Sequence, residues 1–357
     1  MKILMAMSGG IDSTVSAMLL REQGYELVGV TFRTFDSIRE SCLAREKGCC
    51  SIDSIMEAKN MARTLGFEHH ILDLRDTFRE HVIGNFVDEY MRGRTPNPCV
   101  LCNSSIKWGK LLDMADEMGC EKIATGHYAQ IVECDGHHYL ANAADAHKDQ
   151  TYFLWMLTEQ NLARTIFPLG GYTKQQVRQM AAERGFVKLS QKTESQEICF
   201  VPNNDYRTFL AEQVPDFAEK CKSGDFIDKN GMVVGTHEGF PNYTIGQRKG
   251  LKVAFGTPKY VTRIDAANNR VTLGDRDDLL SSTLSASNCR FVDAEKLSMN
   301  PRVLARIRYK TAATPATIRI DGNRCTLQFD EPVWGITPGQ SLVLYQDGKV
   351  VGGGFID

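Results

Sequence analysis

The chain has 357 residues, which is enough for two or three domains with cores of their own. Its formal net charge of −2 argues against a generally basic nucleic-acid-binding protein, although a local basic patch is compatible with it. No apolar run is long enough to span a membrane and the N-terminus has no signal-peptide pattern, so we expect a protein of the cytoplasm or, after processing, of an organelle matrix. Eleven cysteines without a secretory signal indicate thiols, metal ligands or catalytic groups rather than a disulfide framework.

The chain begins with an apolar run over residues 2–7, which predicts a buried parallel strand, followed by the glycine-rich turn 8–13. Gly9 and Gly10 permit unusual backbone angles and let an anion approach the main chain. The turn also supplies hydroxyls and a cap for the helix that follows, from Ser8, Asp12 and Ser13. The free backbone N–H groups at the start of that helix form a phosphate-binding site. No Gly-Lys-Ser/Thr follows, so this is not the P-loop of kinases and GTPases. From the turn alone, a role in packing stays open.

Strands and helices alternate up to residue 125. We predict strands over 26–33, 70–74 and 122–125, and helices over 52–65, 78–91 and 108–118. Such alternation predicts a parallel sheet with helices on both faces, and ligands bind beyond the carboxyl ends of its strands. The turn 8–13, Phe32 and the pair Gly126 and His127 all lie at such ends. A polar stretch with Cys42, Cys49 and Cys50 lacks four-ligand metal spacing and is expected to be a loop.

The segment 93–103 contains Pro96 and Pro98, and two prolines one residue apart predict an exposed, rigid, non-helical loop. Further on, Asp135 and Gly136 predict a hairpin turn. Residues 173–176 form a capping box for a helix that ends before Gly185. A second notable thiol, Cys199, follows the polar residues Gln196 and Glu197.

From about residue 205, short strands alternate with turns, and residues 243–250 form a polar, basic loop. The stretch 282–357 predicts a small β-barrel or sandwich. Residues 301–324 include six basic side chains and one acidic side chain. If the basic side chains lie on one face of the strands, they could bind phosphates, or they could form a solvated surface. We therefore predict an α/β protein with a doubly wound parallel sheet (1–204), a small central domain (205–280) and a C-terminal β-barrel (281–357).

Several motifs together stand in the order and spacing of one family: Ser8 to Ser13, Thr95 to Cys102, Gly126 to Tyr128, Lys148 to Gln150, Ile198 to Phe200, and Tyr243 to Gly250. On these motifs the chain resembles the tRNA-specific 2-thiouridylases, which belong to the ATP pyrophosphatase (PP-loop) superfamily and have an adenine nucleotide alpha hydrolase-like fold. The resemblance runs from residue 2 to the C-terminus. It implies that the 2-oxygen of the wobble uridine of tRNA is replaced by sulfur, through an adenylated base, with release of AMP and pyrophosphate.

The resemblance also implies roles for individual residues. ATP, with Mg²⁺ screening its phosphates, would contact Ala6, Met7, Ser8, Gly9, Gly10, Ile11, Asp12, Ser13, Phe32 and Gly126. Cys199 would carry a persulfide, and Cys102 would be its partner nucleophile, leaving a disulfide that is reduced in each cycle. The target base would lie against Asn97, Pro98 and Cys99, and the rest of the tRNA would contact His127, Lys148, Asp149, Gln150, Arg308, Tyr309 and Gln340. The partners implied are tRNAs that accept Lys, Glu and Gln, and a sulfur donor such as a cysteine desulfurase or sulfur-relay protein.

The chain departs from the family at position 99, where aspartate is usual and Cys99 stands here. A thiol accepts hydrogen bonds far less well than a carboxylate, which questions an acid–base role. Cys99, Cys102 and Cys199 could instead hold an iron–sulfur cluster. The sequence is also compatible with another ATP pyrophosphatase, such as an amidating ligase or a tRNA lysidine synthetase, and with an RNA-binding or iron–sulfur protein whose glycine-rich loop is only structural.

Overall fold

A computed structural model describes residues 1–35, 52–192, 198–253 and 256–357. Cys42, Cys49, Cys50, Gln196 and Glu197 lie outside these ranges. The chain divides into two compact units, the first comprising 1–83, 99–204 and 347–350 and the second 84–98, 205–346 and 351–357. Across the ranges given above, no helix is both long and apolar enough to cross a membrane.

The described residues form α-helices α1 to α12, namely Ile11–Glu22, Ile52–Leu65, Arg75–Phe78, Gly84–Met91, Pro98–Leu101, Gly109–Glu117, Glu159–Ala163, Lys174–Glu183, Val187–Ser190, Tyr206–Gln213, Phe217–Lys220 and Ala294–Met299. Two π-helical stretches span Arg79–Ile83 and Cys102–Trp108. The strands β1 to β17 are Lys2–Ala6, Glu26–Arg33, Glu68–Asp73, Lys122–Ala124, Gln130–Cys134, His137–Ala141, Thr165–Ile166, Gly224–Ile227, Val233–His237, Tyr260–Asp265, Arg270–Gly274, Leu280–Phe291, Arg302–Arg306, Thr314–Asp321, Arg324–Trp334, Ser341–Gln346 and Lys349–Ile356.

The first unit is built on a five-stranded parallel sheet in the order β3-β2-β1-β4-β7. Strand β1 is central, and Ile3, Leu4 and Met5 are all fully buried, as a strand covered on both faces requires. Ile3 and Met5 pack with the buried alanines of α1 and α2. The alternating Leu4 points to the opposite face, where α6 packs on β1 and β4. The predicted doubly wound sheet is confirmed.

Two local predictions in this unit are also confirmed. Strands β5 and β6 form an antiparallel hairpin whose turn residues Asp135 and Gly136 have φ of 53° and 79°, as a tight hairpin turn requires. Thr173 caps α8: its hydroxyl accepts from the Gln176 N–H at 3.3 Å, and the Gln176 side-chain oxygen accepts from the Thr173 N–H at 2.8 Å.

The prediction of an exposed, non-helical loop over 93–103 is wrong. Helix α5 begins at Pro98 and continues through the π-helical stretch into α6, and Pro96 and Pro98 are buried. In the first turn of a helix the backbone N–H groups have no acceptor within the helix, so a residue without an N–H loses nothing there. Proline also has a fixed φ close to the helical value, and Pro98 therefore suits the first position of a helix. Two prolines exclude a helix only up to the second one. The predicted helix over 78–91 is likewise interrupted, because a π-helical stretch separates α3 from α4.

The second unit contains a four-stranded sheet, β10-β11-β8-β9, and the six strands β12-β15-β14-β13-β16-β17, which close into an antiparallel barrel because β12 also pairs with β17. Along β15 buried and exposed residues alternate, with Cys325, Leu327 and Phe329 facing inward. The open choice between barrel and sandwich is thus decided in favour of the barrel. The predicted order of parallel sheet, small central domain and barrel is confirmed.

Candidate active site

The glycine-rich turn between β1 and α1 is tightly packed. Gly9 has a φ of +69°, and a Cβ atom there would lie 2.3 Å from the Ser54 carbonyl oxygen, so the position requires glycine. Gly10 begins α1 without a side-chain hydrogen bond, which corrects the expectation of a side-chain cap. The Ser13 hydroxyl instead donates to the Gly10 carbonyl and accepts from the Ser8 N–H, both at 3.1 Å. The uncapped first turn of α1 therefore offers N–H groups and a positive dipole end to an anion.

The carboxylate of Asp12, in the first turn of α1, is held by two side chains from distant segments. Lys174 Nζ lies 2.7 and 2.9 Å from its two oxygens, and the Tyr128 hydroxyl donates to it at 2.8 Å. Lys174 is only 8% exposed, and its ammonium also lies 5.8 Å from the centre of the Tyr128 ring. Sequence reasoning missed Lys174 as a site residue. The one available signal was the capping box, which places Lys174 in the first turn of α8.

Three segments predicted to contact ATP follow neighbouring strands of the sheet. The turn 8–13 follows β1, Phe32 lies near the end of β2, and Gly126 lies just beyond β4. A Cβ atom on Gly126 would lie 2.8 Å from the Ser13 nitrogen, so this approach also requires glycine. The side chains of Met7 and Ile11 are buried in hydrophobic clusters, which leaves only their backbone to meet a ligand.

His127, predicted to contact tRNA, is half-buried beside two aromatic rings. Its Nδ1 lies 2.8 Å from the Thr125 hydroxyl, and its ring packs near Trp108 and Phe167, with centroids 5.6 and 6.3 Å away. Burial, assisted by the nearby Lys107 ammonium, lowers the pKa of His127 to about 3. A contact with RNA would therefore use stacking or hydrogen bonding rather than charge.

Two of the three residues 148–150 hold backbone in place. Asp149 is 3% exposed and accepts from the backbone N–H groups of Ala143 at 2.8 Å and Thr151 at 3.3 Å. The Gln150 side-chain oxygen accepts from the Tyr128 N–H at 2.9 Å, which connects it to the residue that donates to Asp12. Lys148 is half-buried beside them.

Cys199 lies exposed on a short turn closed by a 3.0 Å hydrogen bond from the Val201 N–H to the Ile198 carbonyl. The next residue, Phe200, is 2% exposed; its ring centre lies 5.5 Å from that of Phe78 in α3 and 6.5 Å from that of Phe35, just after β2. The exposed thiol is thus fixed at the carboxyl edge of the sheet, the edge that carries the turn 8–13.

The other two predicted cysteines lie on the helix that begins at Pro98. Cys99 is half-buried and Cys102 is buried, and both are thiols, as is Cys199. Within the described ranges, no three His, Cys, Asp or Glu side chains are grouped so that they could hold a metal ion. Cys99, Cys102 and Cys199 therefore do not form an iron–sulfur ligand set in this structure.

In the second unit, the turn before β16 meets a segment that lies 245 positions earlier in the chain. The Gln340 side-chain amide donates to the carbonyls of Thr95 at 3.2 Å and Pro96 at 2.8 Å. Asn97, 6% exposed, donates to the Ser341 hydroxyl at 3.3 Å. Two residues predicted to contact the base and the tRNA, Asn97 and Gln340, therefore help to fix the backbone that leads into Pro98.

Three arginines of the barrel have partners within the second unit. The Arg308 guanidinium donates to the carbonyls of Gly335 at 2.7 Å and Ile245 at 3.2 Å and to the Thr337 hydroxyl, and it lies 5.5 Å from the Trp334 ring centre. Two further arginines form surface ion pairs, Arg302 with Asp330 at 2.5 Å and Arg324 with Asp357 at 2.7 Å. Tyr309 is half-buried and Lys310 exposed. That the run of basic residues binds phosphates stays a prediction.

A glycine-rich anion-binding turn at the carboxyl edge of a five-stranded parallel sheet defines a nucleotide-binding α/β domain. Consistent with this class, the family model described as tRNA methyl transferase HUP domain matches residues 1–203. The tRNA methyl transferase PRC-barrel domain matches 207–275, and the aminomethyltransferase beta-barrel domain matches 281–356.

Full-length relatives identify the family more narrowly. The chain is 47% identical to the tRNA-specific 2-thiouridylase MnmA of Amoebophilus asiaticus, covering 99% of this chain and 95% of the relative. It is also 47% identical to that of Cytophaga hutchinsonii (99% and 97%) and 46% identical to that of Salinibacter ruber (99% and 94%). The chain belongs to the tRNA-specific 2-thiouridylase MnmA family.

Solved structures align more loosely. A 4-thiouridine synthetase–RNA complex with bound ATP aligns with a TM-score of 0.37 and 20% identity, over 60% of this chain and 50% of that chain. The NMN synthetase of Francisella tularensis aligns with a TM-score of 0.38 and 15% identity, over 61% and 80%. Neither likeness bears on function.

Proposed function

We propose that this protein is a tRNA 2-thiouridylase that uses ATP to activate the 2-oxygen of the wobble uridine and replaces it with sulfur. The membership of the chain in the 2-thiouridylase family supports the reaction class. The observation that carries the proposal is that the anion-binding turn 8–13 and the exposed thiol of Cys199 lie at the same edge of one sheet. Nucleotide activation and sulfur delivery would then take place at the same edge.

In the first step, the uracil 2-oxygen attacks the α-phosphorus of ATP and pyrophosphate leaves. The N–H groups of the first turn of α1 bind the leaving phosphates, and Lys174 supplies a buried positive charge next to them. The Asp12 carboxylate is a hard oxygen ligand at the phosphate turn, and on exchanging Lys174 for Mg²⁺ it would hold the ion, which would screen phosphate charge. Tyr128 and Gln150 keep that carboxylate and its backbone in place.

In the second step, the terminal sulfur of a Cys199 persulfide bonds to C2 of the base and AMP leaves with the former 2-oxygen. The Cys102 thiolate then attacks Cys199 Sγ, so the bond between Sγ and the transferred sulfur breaks and 2-thiouridine is released. A Cys102–Cys199 disulfide remains, and an external dithiol reduces it with two electrons. An iron–sulfur route is not favoured, because the three thiols do not make a ligand set.

The remaining assignments complete the proposal. Residues 1–204 would catalyse the reaction, which would take place in the cytoplasm. The central domain 205–280 would join this catalytic domain to the barrel 281–357, and the barrel would bind tRNA. The base would lie against Asn97, Pro98 and Cys99, with His127 contacting RNA as a neutral ring. Substrates would be tRNAs that accept Lys, Glu and Gln, and a cysteine desulfurase or relay protein would load Cys199.

The experiment is incubation with ATP, Mg²⁺, unmodified tRNA, dithiothreitol, and cysteine with a cysteine desulfurase to load the Cys199 persulfide, followed by mercury-gel electrophoresis for thiolated RNA and measurement of AMP. Wild type should release AMP and give a shifted band, and Cys199→Ser and Cys102→Ser should lose the band. AMP release with products that do not depend on either cysteine would favour another ATP pyrophosphatase. Absence of AMP release in the presence of tRNA would favour a purely structural role for the turn.

A further inference from the structure

Two cysteines outside the proposed chemistry face each other inside the barrel. Cys289 near the end of β12 and Cys325 at the start of β15 are 8% and 2% exposed, and their sulfur atoms lie 3.6 Å apart. The barrel therefore contains a buried pair of thiols already in van der Waals contact.

The backbone around this pair determines its geometry. Ala286 pairs opposite Cys325, and beyond it the register of β12 against β17 shifts between Ser287 and Arg290. Asn288 has a φ of +51° in this irregular stretch, and the next residue, Cys289, contacts Cys325. The Cys289 N–H donates to the Asn323 carbonyl at 2.8 Å, and a Cβ atom on Gly354 would lie 2.5 Å from Cys289 Sγ. The contact with Cys325 lowers the pKa of the Cys289 thiol, whereas the contact with Cys289 and burial raise the pKa of Cys325.

We propose that Cys289 and Cys325 are a redox modification site, at which a peroxide converts the two thiols into a disulfide joining β12 and β15. One thiol is first oxidised to a sulfenic acid as the peroxide O–O bond is cleaved and water leaves. The second sulfur then displaces hydroxide as a second water, and the S–S bond forms. The sulfur atoms must approach by roughly 1.5 Å to reach a bond length near 2.05 Å.

The bond should stabilise the barrel, because it closes a long loop in the unfolded chain. The experiment treats the full chain with hydrogen peroxide and maps its cysteines by mass spectrometry of non-reduced peptides. We expect a linked Cys289–Cys325 peptide and a rise in Tm of at least about 5 °C that dithiothreitol reverses. Cys289→Ser should abolish both effects. Exposed Cys199 reports that the oxidant acted, and buried Cys120 is a matched lone thiol.

Two outcomes would overturn the proposal. In the first, Cys199 is oxidised while Cys289 and Cys325 remain thiols or become sulfinic acids. In the second, either cysteine links to Cys221 or another thiol instead. Both outcomes are measured on wild type, so the test does not depend on the folding of a variant.

A second inference rests on different contacts and on the proposed sulfur-transfer function. Helix α3 contacts the segments that carry both predicted catalytic thiols: Phe78 packs on Phe200, next to Cys199, and α3 also packs against the π-helical stretch Cys102–Trp108. We infer that Phe78 and Phe200 are positioning residues that set how readily the Cys102 and Cys199 thiols meet.

The readout is the equilibrium between dithiol and Cys102–Cys199 disulfide in glutathione buffers. Phe200→Ala should weaken disulfide formation at least tenfold, about 30 mV, while AMP formation with tRNA is retained. Phe200→Leu should restore the equilibrium to within about threefold, because it refills most of the buried volume. Phe226→Leu, a buried phenylalanine of the other unit, is the control.

An unchanged equilibrium in Phe200→Ala would overturn the positioning role. If wild type itself formed no Cys102–Cys199 disulfide in any buffer, the sulfur-transfer proposal would fail instead. The two failures are therefore distinguishable.

Discussion

The carboxyl edge of the parallel sheet and the surface of the barrel both carry charged side chains, but these charges have different surroundings. At the sheet edge, Lys174 and Asp12 form a largely buried pair next to an uncapped helix end. On the barrel, Arg302 and Arg324 pair with acids in exposed positions. A buried pair beside free N–H groups is suited to exchange partners with a phosphate, whereas exposed pairs contribute little. The difference teaches that burial and partners, rather than the number of charges, determine how strongly a charged pair interacts.

The comparison is tested most strongly at Lys174. Lys174→Met should reduce ATP-dependent AMP formation at least about 100-fold, because a preorganised positive charge next to the leaving phosphates is lost. Asp12→Asn should act in the same direction, with tRNA binding nearly intact. Initial rates of AMP release measure both effects.

Lys192→Met is the matched control, since Lys192 pairs with Glu57 in an exposed position of the same unit. If Lys174→Met retained activity within threefold of wild type, the buried pair would be purely structural.

Arg308 differs from the two exposed arginine pairs of the barrel in that its guanidinium donates to the backbone carbonyls of Ile245 and Gly335. Arg308→Met should lower the free energy of unfolding by about 2 kcal/mol, since it leaves acceptors unsatisfied. Arg302→Met should cost less than about 1 kcal/mol, as for other exposed pairs. Urea denaturation measures both, and equal losses would contradict the distinction.

Acid should destabilise the first unit through two histidines. Burial lowers the pKa of His127 to about 3 and that of His69, with His70 and Lys59 nearby, to about 4. In the unfolded chain the pKa of histidine is about 6.5. Between about pH 6.5 and the lower pKa of the folded protein, the unfolded state binds more protons, so the free energy of unfolding falls as the pH falls. From pH 7 to pH 5 each histidine should cost about 1–2 kcal/mol.

His127→Asn and His69→Asn should show a smaller loss of stability on acidification than wild type, as measured by urea midpoints at both pH values. An identical pH dependence in the variants would assign the acid sensitivity to other groups.

The smallest effect is expected at Lys310, which is exposed on the barrel. If the barrel binds tRNA phosphates, Lys310→Glu should reduce the log–log salt slope of tRNA binding by about one unit. Filter binding at several salt concentrations measures the slope. An unchanged slope would mean that Lys310 is only solvated.

Local features were predictable from the sequence because neighbouring residues determine them. The strand and glycine turn at 2–13, the hairpin at Asp135 and Gly136 and the capping box at Thr173 depend on backbone angles and contacts within a few residues. The family's motifs also predicted the fold class. Pro98 departs from the predicted loop because proline, although excluded from helix interiors, suits a helix start.

Only the tertiary structure determined which side chains meet. Asp12 and Lys174 are 162 positions apart and Gln340 and Thr95 are 245 apart, so no local pattern relates them. The same applies to Arg308, whose charge is apparent in the sequence while its carbonyl partners at 245 and 335 are not. The sequence determines which groups are available, whereas packing decides which of them are desolvated together, and desolvation sets the strength of their interactions.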